Sequence, residues 1–457
     1  AQSAQFRLLD QDEIAQQLQR MGRPAADAAG FAEQPALARE VAMRAGAPLV
    51  IFADLSRLAG QFRLELDLQR VGNDPDAPAR SWSHVETAGN KDGIFDAIHD
   101  AALWVRQQAG EAASDLVATD QPTRDITTPS WTALALYSRA QSARAAGQVD
   151  QALGLLRGAI GADPNFALAY TRLGDELASQ HRNVEADAAY RSALRAAHDS
   201  RRLSQRERLL LLGDYDTDML NFSGAVSSFQ DYSALYPNDY LGWFYQGSPE
   251  FERGRPAAAA AAWRQAARLA PRAGVVPANV AYADLFNGDL TGAQRAISQA
   301  RALLATDGAI ALDGKLRMIE HDPKGALRQF AALRSAREPV WYEYSPVLEA
   351  AVWADAGQVG DAQRILRDRL AHATDPDEQA RLHADLADLA LMAGQPSLAR
   401  QEAAAALRFP EDPMLLESAG ALLARAGDLD SARTALRDLR KNRDLQPLEG
   451  IAANRLQ

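Results

Sequence analysis

Alanine recurs along most of this 457-residue chain at nearly constant spacing, each time a few residues after a turn. The intervals between nine successive alanines are 34, 39, 34, 34, 33, 36, 37 and 33 residues. We call these residues the anchor alanines: Ala152, Ala186, Ala225, Ala259, Ala293, Ala326, Ala362, Ala399 and Ala432. A period near 34 residues, repeated this often, predicts an array of stacked helix-turn-helix units.

Other residue types keep fixed distances from the anchor alanines. A glycine, typical of a helix end, comes five residues before the anchor in several units: Gly147, Gly288, Gly357, Gly394 and Gly427. A large apolar residue comes four residues after it in most units: Leu156, Tyr190, Phe229, Trp263, Ile297, Phe330, Leu366 and Leu436. A second small residue follows seven residues after it in many: Ala159, Ala193, Ala266, Ala300 and Ala406. A proline twelve residues after the anchor ends the second helix in three units: Pro164, Pro237 and Pro271.

These spacings have a common physical explanation. Two helices cross closely only where the side chain is as small as a methyl group, and the bulky residue one turn later fills the groove beside it. The period is that of the tetratricopeptide unit. We therefore predict a mainly α fold over residues 131–457, a tetratricopeptide-repeat superhelix (α-solenoid) of about nine helix pairs, one for each anchor.

Residues 1–117 have a different pattern, which predicts a small α/β domain. Phe62, Leu64, Leu66 and Leu68 alternate with polar residues, as in a half-buried strand. Residues 49–52 predict a short buried strand and WSHVETAG a third strand, while helical spacing covers residues 11–21, 35–45 and 94–108. Residues 118–130, ATDQPTRDITTPS, predict a linker that ends at a helix cap.

The chain carries a net charge of −11 and contains no cysteine. An acidic chain repels phosphate backbones, so we expect no nucleic acid partner. The absence of cysteine excludes disulfides and thiolate metal sites, and it fits an oxidising compartment as well as the cytosol. No run of about 18 apolar residues predicts a membrane span, and AQSAQFRLLD lacks the pattern of an intact signal peptide.

The sequence contains no motif typical of an enzyme. There is no glycine-rich phosphate loop, no HExxH and no GxSxG. His372 and His383 fall on different predicted helices, which favours two surface histidines over a metal pair. Asp214, Asp216 and Asp218 lack the glycine and distant glutamate of a calcium loop, and they predict a solvated helix. We therefore expect no catalytic residue, no metal and no cofactor.

Two aromatic clusters, YPNDYLGWFYQG and VWYEYSP, are candidates for a binding groove. Tyrosine and tryptophan are favoured at binding hot spots, and the first helices of the repeats line the concave side of a superhelix. Arginines on neighbouring first helices suit a peptide carboxylate. The competing interpretation is repeat core for the aromatic residues and solvated charge for the arginines. The candidate ligand-groove residues are Tyr240, Trp243, Tyr245, Arg172, Arg317, Trp341 and Tyr344.

Four segments, taken in order, resemble a known bacterial arrangement: FRLLDQDEIAQQLQRMGRPAAD, PALAREVAMRAGAPLVIFADLSRLAGQFRLELDLQRV, DPNFALAYTRLGD and SQRERLLLLGDYD. They resemble the extracytoplasmic part of membrane-bound Ser/Thr protein kinases of the PknB-like class, in which a TolB-like α/β domain precedes tetratricopeptide repeats. The same module also follows class III nucleotide cyclases and winged-helix regulators. In such proteins a further strand and helix precede the FRLLD-like segment, so the resemblance implies a fragment or a first domain that lacks one β-α unit.

The resemblance implies a sensor or scaffold without catalytic residues of its own, with the kinase domain and membrane span outside this sequence. The leading hypothesis is a periplasmic ectodomain whose repeats bind a peptide, a protein or an envelope component. The alternatives are a dimerisation scaffold that forms a homodimer, and a cytoplasmic adaptor. An enzyme is the least favoured interpretation because no nucleophile–base pair is recognisable.

Overall fold

The computed structural model describes residues 3, 8–9, 11–24, 31, 33–145, 148–180, 182–200, 202–303, 306–336, 339–408 and 413–441. The chain divides into two compact units. The first unit comprises Ala1–Glu176, Ala188–Arg253 and Gln265–Ala273, and the second comprises Leu177–Asp187, Gly254–Arg264 and Gly274–Gln457. Within the described residues, no helix combines the length and the apolar character needed to cross a membrane.

The N-terminal region combines three helices with three strands: α1 (Gln11–Arg20), α2 (Pro35–Ala45), β1 (Leu49–Leu58), β2 (Gln61–Arg70), β3 (Arg80–Ala88) and α3 (Lys91–Gln108). The strands form an antiparallel sheet in the order β1-β2-β3. Helix α3 packs on β2 and β3, where Leu64, Leu66 and Ala101 form a small buried core. The small sheet at the N-terminal end is therefore confirmed.

Strand β1 differs from the short buried strand predicted for residues 49–52. It extends over Leu49–Leu58, and most of its side chains are exposed, among them Ile51 and Leu55. These two residues pair with Leu68 and Leu64 of β2, so all four lie on the same face of the sheet. The difference arises because β1 is an edge strand and α3 packs on the other two strands. A run of apolar residues does not show whether a strand lies at the edge of its sheet.

Two short helices, α4 (Ala113–Thr119) and α5 (Thr123–Ile126), precede the repeats. Nine helix pairs then follow one another in the described part of the chain: α6 (Trp131–Ala145) and α7 (Val149–Ala162), α8 (Ala167–Ser179) and α9 (Asn183–Ser200), α10 (Gln205–Asp218) and α11 (Phe222–Leu235), α12 (Tyr240–Glu252) and α13 (Pro256–Leu269), α14 (Val275–Asn287) and α15 (Leu290–Ala302), α16 (Thr306–Ile319) and α17 (Pro323–Ala332), α18 (Pro339–Asp355) and α19 (Val359–His372), α20 (Pro376–Met392) and α21 (Pro396–Ala406), α22 (Pro413–Arg425) and α23 (Leu429–Lys441). The fold is thus mainly α, a tetratricopeptide-like solenoid preceded by a small sheet. Residues 442–457 of the predicted array lie outside the described residues.

The anchor alanines mark the places where paired helices pack together. All nine are buried, with at most 7% of their surface exposed. The small residues seven positions later are buried as well: Ala159, Ala193, Ala266, Ala300 and Ala406. Helix α6 packs against α7, and α20 against α21. The prediction of small residues at the helix crossings is confirmed.

The residue five positions before the anchor ends the first helix in the left-handed conformation. The predicted glycines there have positive φ angles: Gly288 (72°), Gly357 (76°), Gly394 (69°) and Gly427 (85°). Gly147 lies outside the described residues. Leu220 and His321 adopt the same conformation, with φ angles of 57° and 60°, although a side chain there costs about 1–2 kcal/mol. The turn geometry therefore persists where the sequence lacks the glycine.

A glycine twelve residues before the anchor faces the aromatic residue four positions after it in three repeats. The pairs are Gly174 with Tyr190, Gly213 with Phe229, and Gly314 with Phe330. A Cβ atom on Gly174 would lie 2.7 Å from the Tyr190 ring, which is closer than carbon atoms approach. All three rings are fully buried. In these repeats the backbone of the first helix therefore lies directly against an aromatic ring.

Candidate functional site

Three of the predicted groove residues lie on α12 in the first unit. Tyr240 is buried, and its hydroxyl donates to Glu13 Oε1 at 3.2 Å. Trp243 is half-buried. Tyr245 is 38% exposed, and its ring stacks on Phe229 with 5.7 Å between the centroids. Because Tyr240 and Trp243 present little surface, a groove role for these residues stays a prediction.

A fourth predicted residue, Arg172 on α8, belongs to a cluster of charged side chains. Its guanidinium Nη1 donates to Asp175 Oδ2 at 2.9 Å. The Tyr190 hydroxyl lies 2.9 Å from Asp175 Oδ1 and 2.5 Å from Asp218 Oδ2. A phenol carries a single proton and donates to one of these oxygens. The other short contact is favourable only when that carboxyl carries its own proton.

The carboxyl groups of Asp214 and Asp218 are half-buried, where the sequence predicted a solvated helix. Burial raises the pKa of Asp218 to about 6, and Asp175 adds to the rise, while the Tyr190 hydrogen bond opposes it. Burial also raises the pKa of Asp214, and repulsion from Asp175 acts in the same direction. The prediction of a solvated helix is therefore only partly correct, because Asp218 contacts the Tyr190 hydroxyl and both Asp214 and Asp218 lie near the Asp175 carboxyl group.

Replacement of Asp218 by asparagine is expected to stabilise the protein at pH 8 but not at about pH 4. The folded-state pKa lies above the unfolded value, so the stability present below about pH 4 is lost as the pH rises through about 6. Asparagine does not titrate, and its amide can donate to Tyr190. Thermal unfolding measures the effect: Tm should rise by a few degrees at pH 8 alone. Asp216→Asn on the same helix is the control, and an equal gain at both pH values would contradict the assignment.

The remaining predicted groove residues lie in the second unit. Arg317 on α16 forms ion pairs with Asp313 at 3.5 Å and Asp322 at 3.3 Å. Trp341 on α18 is half-buried and packs against the core that contains Phe330. Tyr344, on the same helix, is 44% exposed. Tyr344 thus lies at the surface, whereas Arg317 is held by ion pairs to two aspartates of the fold.

Tyr344 belongs to a set of exposed apolar side chains on the first helices α14, α16, α18 and α20. We call this set the apolar row: Val275, Phe286, Ile319, Tyr344 and Met392. Its members are between 40% and 62% exposed. They occupy two repeat positions, seven and eighteen residues before the anchor alanine. Apart from Tyr344, these residues were not predicted. An alignment of the repeats on the anchor alanines would have shown that they share these two positions.

Side-chain contacts connect the helices that carry the apolar row. The rings of Tyr282 and Phe286 on α14 are 5.1 Å apart, and Lys315 Nζ of α16 lies 5.3 Å from the centroid of the Tyr282 ring. Burial raises the pKa of Tyr344, and Asp385 of α20 and Tyr282 add to the rise. Helix α14 contacts α16, and α16 contacts α18. The members of the row on α14, α16 and α18 therefore lie on helices that contact one another, and a cation–π contact lies beside them.

The histidines considered as a metal pair have separate partners. His383 Nδ1 lies 2.7 Å from Glu402 Oε2, and His372 Nδ1 lies 2.8 Å from the carbonyl oxygen of Asp368. Within the described ranges, no group of three or more histidine, aspartate or glutamate side chains is arranged to hold a metal ion.

Comparison with known proteins finds similarities at low sequence identity. No protein-family model and no curated protein matches the chain. Among solved structures, it is similar to PilW, a widely conserved type IV pilus biogenesis factor (18% identity, 45% of this chain and 94% of that chain, TM-score 0.40). It is also similar to a chain of the APC/C hetero-tetramer Cut9-Hcn1 (16% identity, 74% and 64%, TM-score 0.42) and to PilF of Pseudomonas aeruginosa (18% identity, 47% and 96%, TM-score 0.37). At these values the likeness says nothing about what this chain binds.

Proposed function

We propose that the chain is a protein-binding repeat scaffold and that the apolar row binds a segment of a partner protein. The observation that carries this proposal is the row itself, five large apolar side chains exposed at two equivalent repeat positions. Single exposed apolar residues are ordinary on protein surfaces, whereas aligned ones are typical of interaction sites. The row runs across several helices, which suits an extended or helical segment better than a small molecule. In this proposal the chain has no catalytic role.

Replacement of Phe286 or Ile319 by serine is expected to weaken binding of apolar peptides by about tenfold or more. The reason is that a buried phenylalanine or isoleucine contributes about 1.5–3 kcal/mol through the hydrophobic effect. Peptides selected from a phage-displayed library on the full chain serve as probes. Fluorescence anisotropy with the labelled peptides gives the dissociation constants of the variants. Both side chains are exposed, so circular dichroism should show an unchanged fold.

Leu429→Ser is the matched control for these variants. Leu429 is 54% exposed at the start of α23, and it does not belong to the apolar row. Its replacement should leave peptide binding unchanged. Equal loss in all three variants, or no loss in Phe286→Ser and Ile319→Ser, would exclude the apolar row as the binding surface.

The resemblance of four segments to kinase ectodomains supports a finer proposal. We propose that this scaffold is the periplasmic sensor region of a bacterial membrane-bound signalling protein, with the kinase domain and the span outside this sequence. A topology reporter fused to the repeats in the full-length protein tests this. Reporter activity on the cytoplasmic side would support the alternative of a cytoplasmic adaptor instead.

A further inference from the structure

A small pocket opens in the second unit where α16 and α18 end. Its volume is about 190 Å³, and its lining residues are Met318, His321, Pro323, Val352, Asp355 and Ala356. Helix α16 ends at Ile319, a member of the apolar row, and α18 ends at Asp355. Sites for small molecules usually enclose about 300–1,000 Å³. This pocket therefore suits a single side chain of a larger partner.

Asp355 occupies a repeat position of the apolar row. It lies seven residues before Ala362, as Phe286, Ile319 and Met392 lie seven residues before their own anchor alanines. Along four successive repeats this position is apolar, apolar, acidic and apolar. Surfaces that bind each other match in charge, so a segment lying along this face should place a basic residue among apolar ones.

The carboxylate of Asp355 is available for such a contact. Two other acids of the second unit are held by arginines, Asp361 by Arg364 at 2.6 Å and Asp388 by Arg425 at 2.7 Å. In the part of the chain that the structure describes, the Asp355 carboxylate has neither an ion pair nor a hydrogen bond, and the residue is exposed. Its charge is therefore not used by the fold.

The other walls of the pocket suit the stem of a basic side chain. Met318 provides half-buried apolar surface, and lysine and arginine place their methylene groups on such surface while the charged head reaches a carboxylate. The Asp355 carboxylate lines the same pocket, so it could bind that charged head.

His321 gives the pocket a second distinctive feature. It has a φ of 60° at the position where the other repeats of this unit place glycine, with φ of 72° in Gly288 and 76° in Gly357. A side chain costs free energy in this conformation, and such strain concentrates at functional sites. His321, at the position of the expected glycine, is one of the residues that line the pocket.

We propose that this pocket binds one lysine or arginine side chain of the partner segment, while apolar residues of the same segment lie on the apolar row. The proposal rests on the proposed function of the row and names the chemistry of its partner. That partner is a protein segment in which a basic residue is flanked by large apolar residues.

The test uses three fluorescein-labelled peptides that differ only at the central residue, which is arginine, glutamine or glutamate, with leucine and phenylalanine on both sides. The full chain should bind the arginine peptide about tenfold more tightly than the glutamine peptide, as for a hydrogen bond between charged groups. Asp355→Asn should abolish this preference and leave binding of the glutamine peptide unchanged. Asp355→Arg should reverse the preference in favour of the glutamate peptide.

Two further variants exclude simpler explanations. Asp361→Asn makes the same charge change outside the pocket, so it should keep the preference for arginine. His321→Gly relieves the left-handed strain and removes the imidazole wall, so it should weaken binding of the arginine peptide without unfolding the protein.

Each contrary outcome has a definite meaning. A preference for arginine that survives Asp355→Asn reflects the general acidity of the chain and overturns the pocket proposal. Binding of the three peptides with equal affinity, lost in Ile319→Ser, overturns the pocket and leaves the proposed function intact. Failure of all three peptides to bind the full chain overturns both.

Discussion

Replacement of Arg206 by methionine is expected to lower the free energy of unfolding by about 3–5 kcal/mol, because it removes the positive charge that pairs with a buried carboxylate. Arg206 and Asp239 are 6% and 7% exposed, and they form an ion pair. Arg206 Nε also donates to the Tyr232 hydroxyl at 2.8 Å, and that hydroxyl donates to Asp239 at 2.5 Å. Methionine fills a similar volume, so the loss comes from removal of the ion pair and not from a cavity. Urea denaturation followed by circular dichroism measures it.

Arg364→Met is the matched control for this prediction. Arg364 is paired with Asp361 at 2.6 Å, but its side chain is 71% exposed. A surface pair contributes about 0–1 kcal/mol, so the urea midpoint should barely change. Arg206→Lys keeps the charge but loses the fork of donors, and it should be intermediate. Unfolding of Arg206→Met at the wild-type midpoint would show that Asp239 does not depend on Arg206.

Phe330→Ala is expected to lower the free energy of unfolding by about 3–5 kcal/mol, the usual cost of a cavity where an aromatic ring was buried. Phe330 is 0% exposed and lies against the backbone of α16 at Gly314. It belongs to a core cluster with Leu333, Leu348 and Val352. The same urea denaturation measures the loss. A change below about 1 kcal/mol would mean that neighbouring side chains refill the space.

A double-mutant cycle with Gly314 tests the contact itself. Gly314→Ala alone should destabilise by about 1–3 kcal/mol, since its Cβ would overlap the Phe330 ring. In the Phe330→Ala background the same change should stabilise by up to about 1 kcal/mol, because alanine is the better helix former. Gly154→Ala, in an exposed and open part of α7, should stabilise the otherwise unchanged protein. Absence of this reversal of sign at Gly314 would contradict the packing described here.

The repeat architecture could be predicted because its signals are local and recur. Each signal depends on residues that are close in sequence. Examples are the buried anchor Ala326, the turn glycine Gly357 and the alternating side chains of β2. Burial of β1 was predicted wrongly because burial depends on what covers the strand. Leu220 and His321 show that the turn also forms without its usual residue, since the surrounding helices impose the left-handed conformation.

The candidate site was predicted in part. Aromatic character drew attention to Tyr344, which is exposed. It favoured Tyr240 equally, whose hydroxyl bonds to Glu13 more than two hundred positions earlier in the chain. Phe286, Ile319 and Met392 are ordinary helix residues when considered singly. Their common exposure becomes visible when the first helices lie side by side, and so does the acidic exception, Asp355.

The sequence by itself determined the period, the helix ends and the crossing points, because alanine, glycine and proline restrict the backbone within their own turn or helix. Tertiary structure alone decided three further features. It placed Phe330 on Gly314, it buried Arg206 with Asp239, and it left the apolar row and the Asp355 carboxylate at the surface. The physical reason is that burial and ion pairing depend on contacts between residues distant in sequence. Such contacts form only when the helices pack together.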